Sequence, residues 1–467
     1  MNRTYTQDTI KKGGKKVCVK GWVAGRRDHG KIIFLDLRDE RGVLQVVVTP
    51  QANQAYEQAG RCRSEWVIEI EGTVQKRPDS MVQKDMATGS VELIADQVNI
   101  LSEAKTPPFA LDTSGYEIGE EKRLQYRYLD LRRERLQKNI RERSRIVHFF
   151  RQKLLEQGFV EIETPLLTKS TPEGARDFLV PSRLSPGTFY ALPQSPQQYK
   201  QLLQVAGFER YFQLARALRD EDPRGDRQAE HTQLDVEMSF VDREDVLSLI
   251  EALYRELVSS LFPQKNMAGD PFPRLTYKEA MEKYGTDKPD LRKNKEDKDE
   301  LAFVFVTDFP AFEWDEKGKR WDATHNPFSR SQAKSVEELK TNPKNVLSHQ
   351  YDLALNGFEI AGGSLREYRP DMLEAALEIM GHSKEQARER FGHMLEAVEY
   401  GVPPHGGFAG GVDRLCAILF NEPNIREVIA FPKTGDNRDL MMQAPDSVSE
   451  DQLLELHLSL RKNKNAS

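Results

Sequence analysis

The sequence predicts an α+β protein of two folded units, a small closed β-barrel followed by a larger unit of antiparallel sheet flanked by helices. Three observations predict it. Short β-rich runs crowd residues 17–101, a Pro-rich and then Arg-rich stretch interrupts the pattern, and beyond it strands and helices mix without the repeating βαβ order of a parallel sheet. At 467 residues the chain also exceeds one ordinary core of about 100 to 200 residues.

The first unit, expected over residues 1–105, reads as VCVKGWVAGRR, KIIFLDLRD, VLQVVVTP, WVIEIEGTVQKR and SVELIADQVNIL, separated by turns such as Glu40-Arg41-Gly42. Five such runs fit a small barrel of the oligonucleotide-binding kind. In the second run, period-2 alternation sets Ile33, Leu35 and Leu37 on one face and Ile32, Phe34, Asp36 and Arg38 on the other. Phe34 therefore shares a face with charge near Arg26, Arg27 and Gln45. It either stacks an unpaired base, worth about 1 to 3 kcal/mol, or caps one end of the barrel core.

Residues 106–137 read as a connector, because Thr106-Pro107-Pro108 blocks helix and RLQYRYLDLRRERL follows. Apolar Ile140, Val147, Phe150 and Leu154 then predict a helix over Asn139–Gln157, with Gly158 as its C-cap and a strand FVEIETPLL after it. The second unit is expected over 138–445, with KNKEDKDE (293–300) as a surface loop and 446–467 as a C-terminal extension.

Composition narrows the function. Hydrophobic residues make up 38%, and no run approaches the roughly 18 consecutive apolar residues of a membrane span, so a soluble cytoplasmic protein with no membrane partner is expected. Cys18, Cys62 and Cys416 fit neither a disulfide framework nor zinc spacing. The net charge is −6, but residues 1–50 carry 11 Lys or Arg against 5 Asp or Glu, a locally basic start on an acidic body. Such a start is either a docking surface for phosphates or a solvated face.

Neither GxxxxGK[ST] nor a GxGxxG between strand and helix occurs, so any bound phosphate must be held by arginines. Two segments offer them. FQLARALRDEDPRGDRQAEHTQLDVEMSF (212–240) reads as strand, charged loop, strand, with Arg219 ahead of Asp220, Glu221 and Asp222, and Arg224 and Arg227 in the loop. Its guanidiniums suit phosphate and its carboxylates suit magnesium. GGFAGGVDRL (406–415) sets Arg414 at a helix start behind glycines that permit close approach of a ligand.

With these segments in order, the chain resembles class II aminoacyl-tRNA synthetases, and among them the bacterial aspartate enzymes, over almost its whole length. The first family motif looks like GFVEIETPLL with Pro165, the second like Arg219 to Phe240, and the third like GGVDRL with Arg414. The aspartate branch is indicated by TPEGARDFLVPSR around Glu173, QSPQQYKQ (194–201), DATHNPFS around His325 and EIAGGSLREYR (359–369).

The resemblance implies a homodimer through the first motif and an ATP- and magnesium-dependent ligase that joins L-aspartate to tRNA(Asp). Lys200 and Arg366 would face the substrate side-chain carboxylate, while Glu173, Gln197 and Asp235 surround its amino group and His325 contacts the amino acid. Arg219 would bridge the α-phosphate and the substrate carboxylate, with Asp220, Glu221, Gln228, His231 and Glu359 around ATP. Asp352 and Glu359 would hold magnesium, and Gly411, Val412, Asp413 and Arg414 would close the pocket, Arg414 near the γ-phosphate. Arg219, Glu221 and Arg414 are then the catalytic set. On the barrel, Phe34 would stack an anticodon base, and Arg27, Gln45 and Glu92 would read base edges.

Four departures from the family pattern stand out. His231 occupies the place of an aromatic, usually phenylalanine, under adenine, and Asn326 that of a second histidine. The inserted domain of bacterial aspartate enzymes is reduced to a short loop near 291–301. His29, in RRDHG, resembles the histidine of enzymes that charge both tRNA(Asp) and tRNA(Asn). The competing readings are an enzyme strict for tRNA(Asp), a tRNA-independent aspartate-activating ligase, and a non-catalytic nucleic-acid-binding relative.

Overall fold

The structure, a computed structural model, describes residues 2–170, 175–222, 224–316 and 318–461. The chain divides into two compact units, Met1–Gly119 and Glu120–Ser467. In the first, strands β1 (Lys16–His29), β2 (Ile32–Asp39), β3 (Gly42–Val48), β4 (Val67–Lys76) and β5 (Val91–Ser102) close a barrel in the order β1-β2-β3-β5-β4. Ile33, Leu35 and Leu37 point into its core and Phe34 outward, as the alternation requires. The strand reading did not foresee helix α1 (Asn53–Arg61), whose only buried side chains are Ala55 and Ala59. Two alanines at i, i+4 in a polar segment give too weak a stripe to read as amphipathic.

The second unit opens with α2 (Glu120–Gln125), α3 (Arg127–Asp130) and α4 (Glu134–Glu156). The expected connector is thus divided: its arginine-rich half folds into this unit, and α4 starts five residues ahead of the expected Asn139. Asp130 is fully buried and accepts from Arg123, Arg127 and Arg133, while Arg123 also forks onto Glu427 at 3.0 and 2.7 Å. Burial alone would raise the Asp130 carboxyl, but Arg123 and Arg133 hold it below the usual carboxylate range. Asp130 is local, but Glu427, the second partner of Arg123, lies 304 residues away in sequence, and the burial that this packing imposes is invisible in the stretch itself, which reads as solvated linker. On α4, Phe150 and Leu154 are buried as expected, whereas Ile140 and Val147 are only half-buried; Leu136, Ile146 and Phe149 complete the buried face.

The remaining strands are β6 (Val160–Glu161), β7 (Leu179–Pro181), β8 (Phe189–Ala191), β9 (Arg210–Leu218), β10 (Glu230–Ser239), β11 (Asn266–Ala268), β12 (Arg274–Thr276), β13 (Glu300–Thr307), β14 (Phe312–Asp315), β15 (Arg320–Ala323), β16 (Gln350–Leu355), β17 (Phe358–Leu365) and β18 (His405–Gly411). The intervening helices are α5 (Gln197–Val205), α6 (Arg243–Leu261), α7 (Tyr277–Tyr284), α8 (Val336–Thr341), α9 (Pro370–Ile379) and α10 (Lys384–Glu399), and α11 (Val412–Leu419) and α12 (Glu450–Glu455) follow β18. The expected long strand FVEIETPLL shrinks to β6, a two-residue edge parallel to β9. KNKEDKDE is loop up to the start of β13.

One sheet runs β11-β13-β16-β17-β18-β10-β9-β6, antiparallel from β13 through β9. Its two faces differ in kind. Phe212, Leu234, Val236, Met238, Phe408 and Leu353 belong to the core packed with α4, α6 and α11. The alternate residues, His231, Gln233, Asp235 and Glu237 on β10 with Ala217, Ala215, Ala409 and Gly411 beside them, form the opposite face. That face, called the trough below, sets the polar β10 side chains beside small residues at the His231 and Gln233 end and beside Gln213 and Tyr211 at the Asp235 and Glu237 end.

Candidate active site

At one end of the trough four charges are buried together. Lys200, from α5, is 1% exposed and Arg366, just past β17, 4%, while Asp235 and Glu237 on β10 are fully buried. Lys200 Nζ lies 2.9 Å from Asp235 Oδ1 and 3.5 Å from Glu237 Oε2. Arg366 forks onto Glu237 at 2.9 and 3.1 Å and donates to Ser364 Oγ at 2.8 Å. Burial alone would raise the Glu237 carboxyl, but Arg366 and Lys200 hold it below the usual range. Glycine is required at 407, since a Cβ there would stand 1.9 Å from the Val236 carbonyl and 2.5 Å from Glu237 Oε2.

Among the described residues, buried polar atoms without a hydrogen-bond partner here include Asp235 Oδ2, an acceptor, and Gln197 Nε2, a donor on the turn of α5 before Lys200, together with Nε2 of His405, whose ring interacts with Glu237. Unsatisfied buried groups of both signs are destabilising unless a ligand completes them. An ammonium meets the first and a carboxylate or carbonyl oxygen the second. Glu173 lies outside the described residues.

At the other end sit the phosphate-directed arginines. Arg219, just beyond β9, donates from Nε to the Gln194 carbonyl at 3.2 Å. Asp220 lies 3.9 Å from Arg176, and Glu221 is half-buried beside it. Arg414, in the first turn of α11, bonds the Glu359 carbonyl and reaches Asp226 Oδ2 at 3.1 Å. His231 lies among Arg219, Arg216, Arg414 and Arg227; burial first and then those charges push its imidazole down to about 3, so the ring is neutral.

Beside them, Asp352 on β16 and Glu359 on β17 converge across a bulge in the β16–β17 register. A Cβ on Gly362 would lie 2.7 Å from Asp352 Oδ1 and 3.5 Å from Glu359 Oε1. Burial first and then the Asp352 charge raise the Glu359 carboxyl, against the opposing pull of Arg414, His325 and Lys288. Among the described residues no group of three or more His, Cys, Asp or Glu converges. Two carboxylates that need phosphate oxygens to complete a shell fit magnesium, which is commonly held that way. His325 Nε2 stands 3.6 Å from Asp352, with its ring edge-on to Phe309 at 4.8 Å. Burial works against the charged imidazole, but Asp352 and Glu359 outweigh it and raise its pKa. The ring keeps 32% exposure, so solvent screens part of that attraction.

Three expected ATP contacts turn away from the trough. Gln228 spans the backbone, donating to the Glu230 carbonyl at 2.7 Å and accepting from Lys433 N at 3.2 Å. The Val412 side chain is in the core. Asp413 is buried, paired with Arg143 of α4 and accepting from Thr232 N at 3.1 Å. Asn326 folds back, its Oδ1 accepting from Phe328 N at 2.8 Å. Sequence reasoning missed Glu237, although its place two residues after Asp235 on an alternating strand is a signal that it shares the site face.

On the barrel, Arg27 pairs in register with Phe34, is exposed, and reaches Asp36 at 3.1 Å. Gln45 donates to Glu92 at 3.5 Å and accepts from Gln83 at 3.2 Å. Arg77, unforeseen, lies 3.4 Å from Glu92. Arg26 is turned away, donating to the Gly60 carbonyl at 2.5 Å. His29 is exposed at the end of β1, ahead of a turn at Gly30.

Comparison with known proteins gives a consistent picture. Residues 119–435 match the family model of tRNA synthetases class II (D, K and N), and residues 17–101 that of the OB-fold nucleic acid binding domain. The chain is 42% identical to the aspartate–tRNA(Asp/Asn) ligase of Rubrobacter xylanophilus, covering 98% of this chain and 97% of that one. It is 39% identical to the aspartate–tRNA ligase of Staphylococcus carnosus, at 98% of each. The Rubrobacter alignment spans 583 positions against 467 residues here, so that protein carries a long stretch with no counterpart in this chain. Among solved structures, the asparaginyl-tRNA synthetase of Pyrococcus horikoshii complexed with asparaginyl-adenylate is similar in fold, with a TM-score of 0.75 at 23% identity over 93% of this chain and 98% of that one.

Proposed function

Since the chain belongs to the class II tRNA synthetases of the D, K and N group, we propose that it is an aspartate–tRNA ligase that activates L-aspartate with ATP and esterifies tRNA(Asp), and tRNA(Asn) as well. The observation that carries the aspartate reading is the fully buried Lys200–Asp235–Glu237–Arg366 cluster with its unpartnered Asp235 Oδ2 and Gln197 Nε2. Lys200 and Arg366 take the substrate side-chain carboxylate, Asp235 and Glu173 its amino group, and Gln197 beside them donates from Nε2 to a carboxyl oxygen of the amino acid. Asparagine is disfavoured because its neutral amide forgoes the charge-assisted bonds that Lys200 and Arg366 make to a carboxylate in addition to their bonds to Asp235 and Glu237.

No protein nucleophile is needed. The substrate α-carboxylate oxygen attacks the α-phosphorus in line, the bond to the bridging oxygen breaks, and pyrophosphate leaves with the electron pair. A ribose hydroxyl of the tRNA's terminal adenosine then attacks the aminoacyl carbonyl, and AMP departs. Arg219 aligns carboxylate and α-phosphate with Asp220 and Glu221 beside it, His231 lies under adenine, and Arg414 meets the outer phosphates. Catalysis by such residues is positioning and charge stabilisation. Asp352 and Glu359 would hold magnesium, which would supply positive charge to the phosphates.

The barrel supplies the anticodon contact, with Phe34 stacking and Arg27, Gln45 and Glu92 at base edges. His29, exposed at the loop tip, leaves the third anticodon position unclashed, which relaxes the choice between the two tRNAs. Exposed Leu155, Val160, Leu166 and Leu167 around the first motif are the homodimer surface. The missing stretch of the relatives corresponds to the short loop near 291–301. Reduced, buried Cys18, Cys62 and Cys416 fit a cytoplasmic setting.

Radiolabelled aspartate offered with separate tRNA(Asp) and tRNA(Asn) transcripts tests this. Charging of both is expected; charging of tRNA(Asp) alone removes the relaxed choice, and charging of neither removes the ligase. Arg219→Ala is expected to abolish aspartate-dependent ATP–pyrophosphate exchange.

A further inference from the structure

We propose that Gln233 binds a ribose hydroxyl of a substrate nucleotide, an assignment that rests on the adenylate-forming reading above. β10 carries His231, Gln233, Asp235 and Glu237 at alternate positions on its site face. His231, Asp235 and Glu237 have an evident place in the adenine and amino-acid ends of the trough. Gln233 has none. It is 8% exposed, and its Oε1 has no hydrogen-bond partner among the described residues. A buried amide oxygen without a donor is destabilising, and such atoms in a cleft point to a ligand.

The strand itself measures where that ligand atom lies. At about 3.3 Å per residue, His231 and Asp235 stand roughly 13 Å apart and Gln233 halfway between them. With adenine over His231 and the aminoacyl ammonium at Asp235, the ribose and phosphate of an adenylate pass over Gln233. Its neighbours across the sheet are Ala215 and Gly411, so no side chain longer than a methyl stands beside it. An amide oxygen only accepts, which excludes a phosphate oxygen as its partner and leaves a ribose hydroxyl as the donor at that height. Two riboses reach this point in the reaction, that of ATP and that of the tRNA's terminal adenosine, and both offer the same chemistry.

Gln233→Met keeps the length of the side chain and removes the acceptor, while Gln233→Glu restores an acceptor oxygen. Both variants of the full chain are measured in aspartate-dependent ATP–pyrophosphate exchange with ATP and 2′-deoxy- or 3′-deoxy-ATP. They are also measured in single-turnover transfer from preformed aspartyl-adenylate to tRNA ending in adenosine or 2′-deoxyadenosine. Gln233→Met is expected to slow one step about tenfold. The matching deoxy substrate should cost the wild type a similar factor and that variant almost nothing, with Gln233→Glu recovering most of the rate. Loss in exchange assigns the ATP ribose; loss in transfer alone assigns the terminal adenosine. Wild-type rates for Gln233→Met in both steps, or deoxy penalties of equal size in wild type and variant, would overturn the assignment. Absence of exchange in the wild-type chain would instead remove the reading on which it rests.

Discussion

Glu237 shows how one side chain governs the neighbours proposed to bind substrate. It holds Arg366 by two bonds and lies 3.5 Å from Lys200, fully out of water. Glu237→Gln removes the charge that both cations lean on, and breaking a buried pair costs about 3 to 5 kcal/mol. The KM for aspartate is expected to rise at least tenfold while the KM for ATP changes little, read from exchange kinetics with each substrate varied in turn. His231 makes a pH prediction. Its folded pKa, about 3, lies below the ordinary histidine value of 6.5, so the unfolded chain takes a proton that the folded one refuses. The resulting stability is complete above pH 6.5 and falls as pH drops toward 3. Melting temperatures of wild type and His231→Phe should therefore diverge in favour of the variant between pH 7.5 and pH 5; a constant difference would mean that the ring titrates normally.

At the scale of elements, Asp413 joins three of them. It sits beside Arg414 in the first turn of α11, accepts from Thr232 N next to His231 on β10, and pairs with Arg143 of α4. These contacts tie the first turn of α11 to β10 and α4, a positioning role at the ATP end of the proposed site. Arg143→Met is expected to raise the KM for ATP several-fold and leave that for aspartate nearly unchanged. Equal effects on both would point to a general loss of packing. The motif segments were legible because each is local: an alternating strand, a glycine-rich turn, a charged loop. α1 and the arginine-rich α2–α3 stretch were not, since the first has too few apolar residues and the second is buried around Asp130 by contacts of Arg123 and Arg127 with residues 426–430 at the far end of the chain.

At the scale of the molecule, the two units have separate hydrophobic cores, one within the barrel and one behind the large sheet. A chain starting at Glu120 keeps every residue of the trough. It is expected to retain aspartate-dependent exchange within a few-fold while losing most tRNA charging at low tRNA concentration, as measured by aminoacylation against tRNA titration. Loss of exchange would show that the second unit depends on the first for folding. Among the described residues no helix is long and apolar enough to cross a membrane.

By itself the sequence determined the two-unit α+β plan and the barrel's inward and outward faces, because periodicity is a local property of the chain, while its resemblance to a family pointed to candidate charged residues for the site and passed over Glu237. Only the tertiary structure decided which of those residues meet. It set Lys200 of α5 against Asp235 and Glu237 of β10, brought Asp352 and Glu359 together over Gly362, and turned Gln228, Val412 and Asp413 to structural contacts. It also left the oxygen of Gln233 without a partner in the middle of the trough. Buried charge and unsatisfied hydrogen bonds depend on everything packed around them, and no stretch of sequence contains that environment.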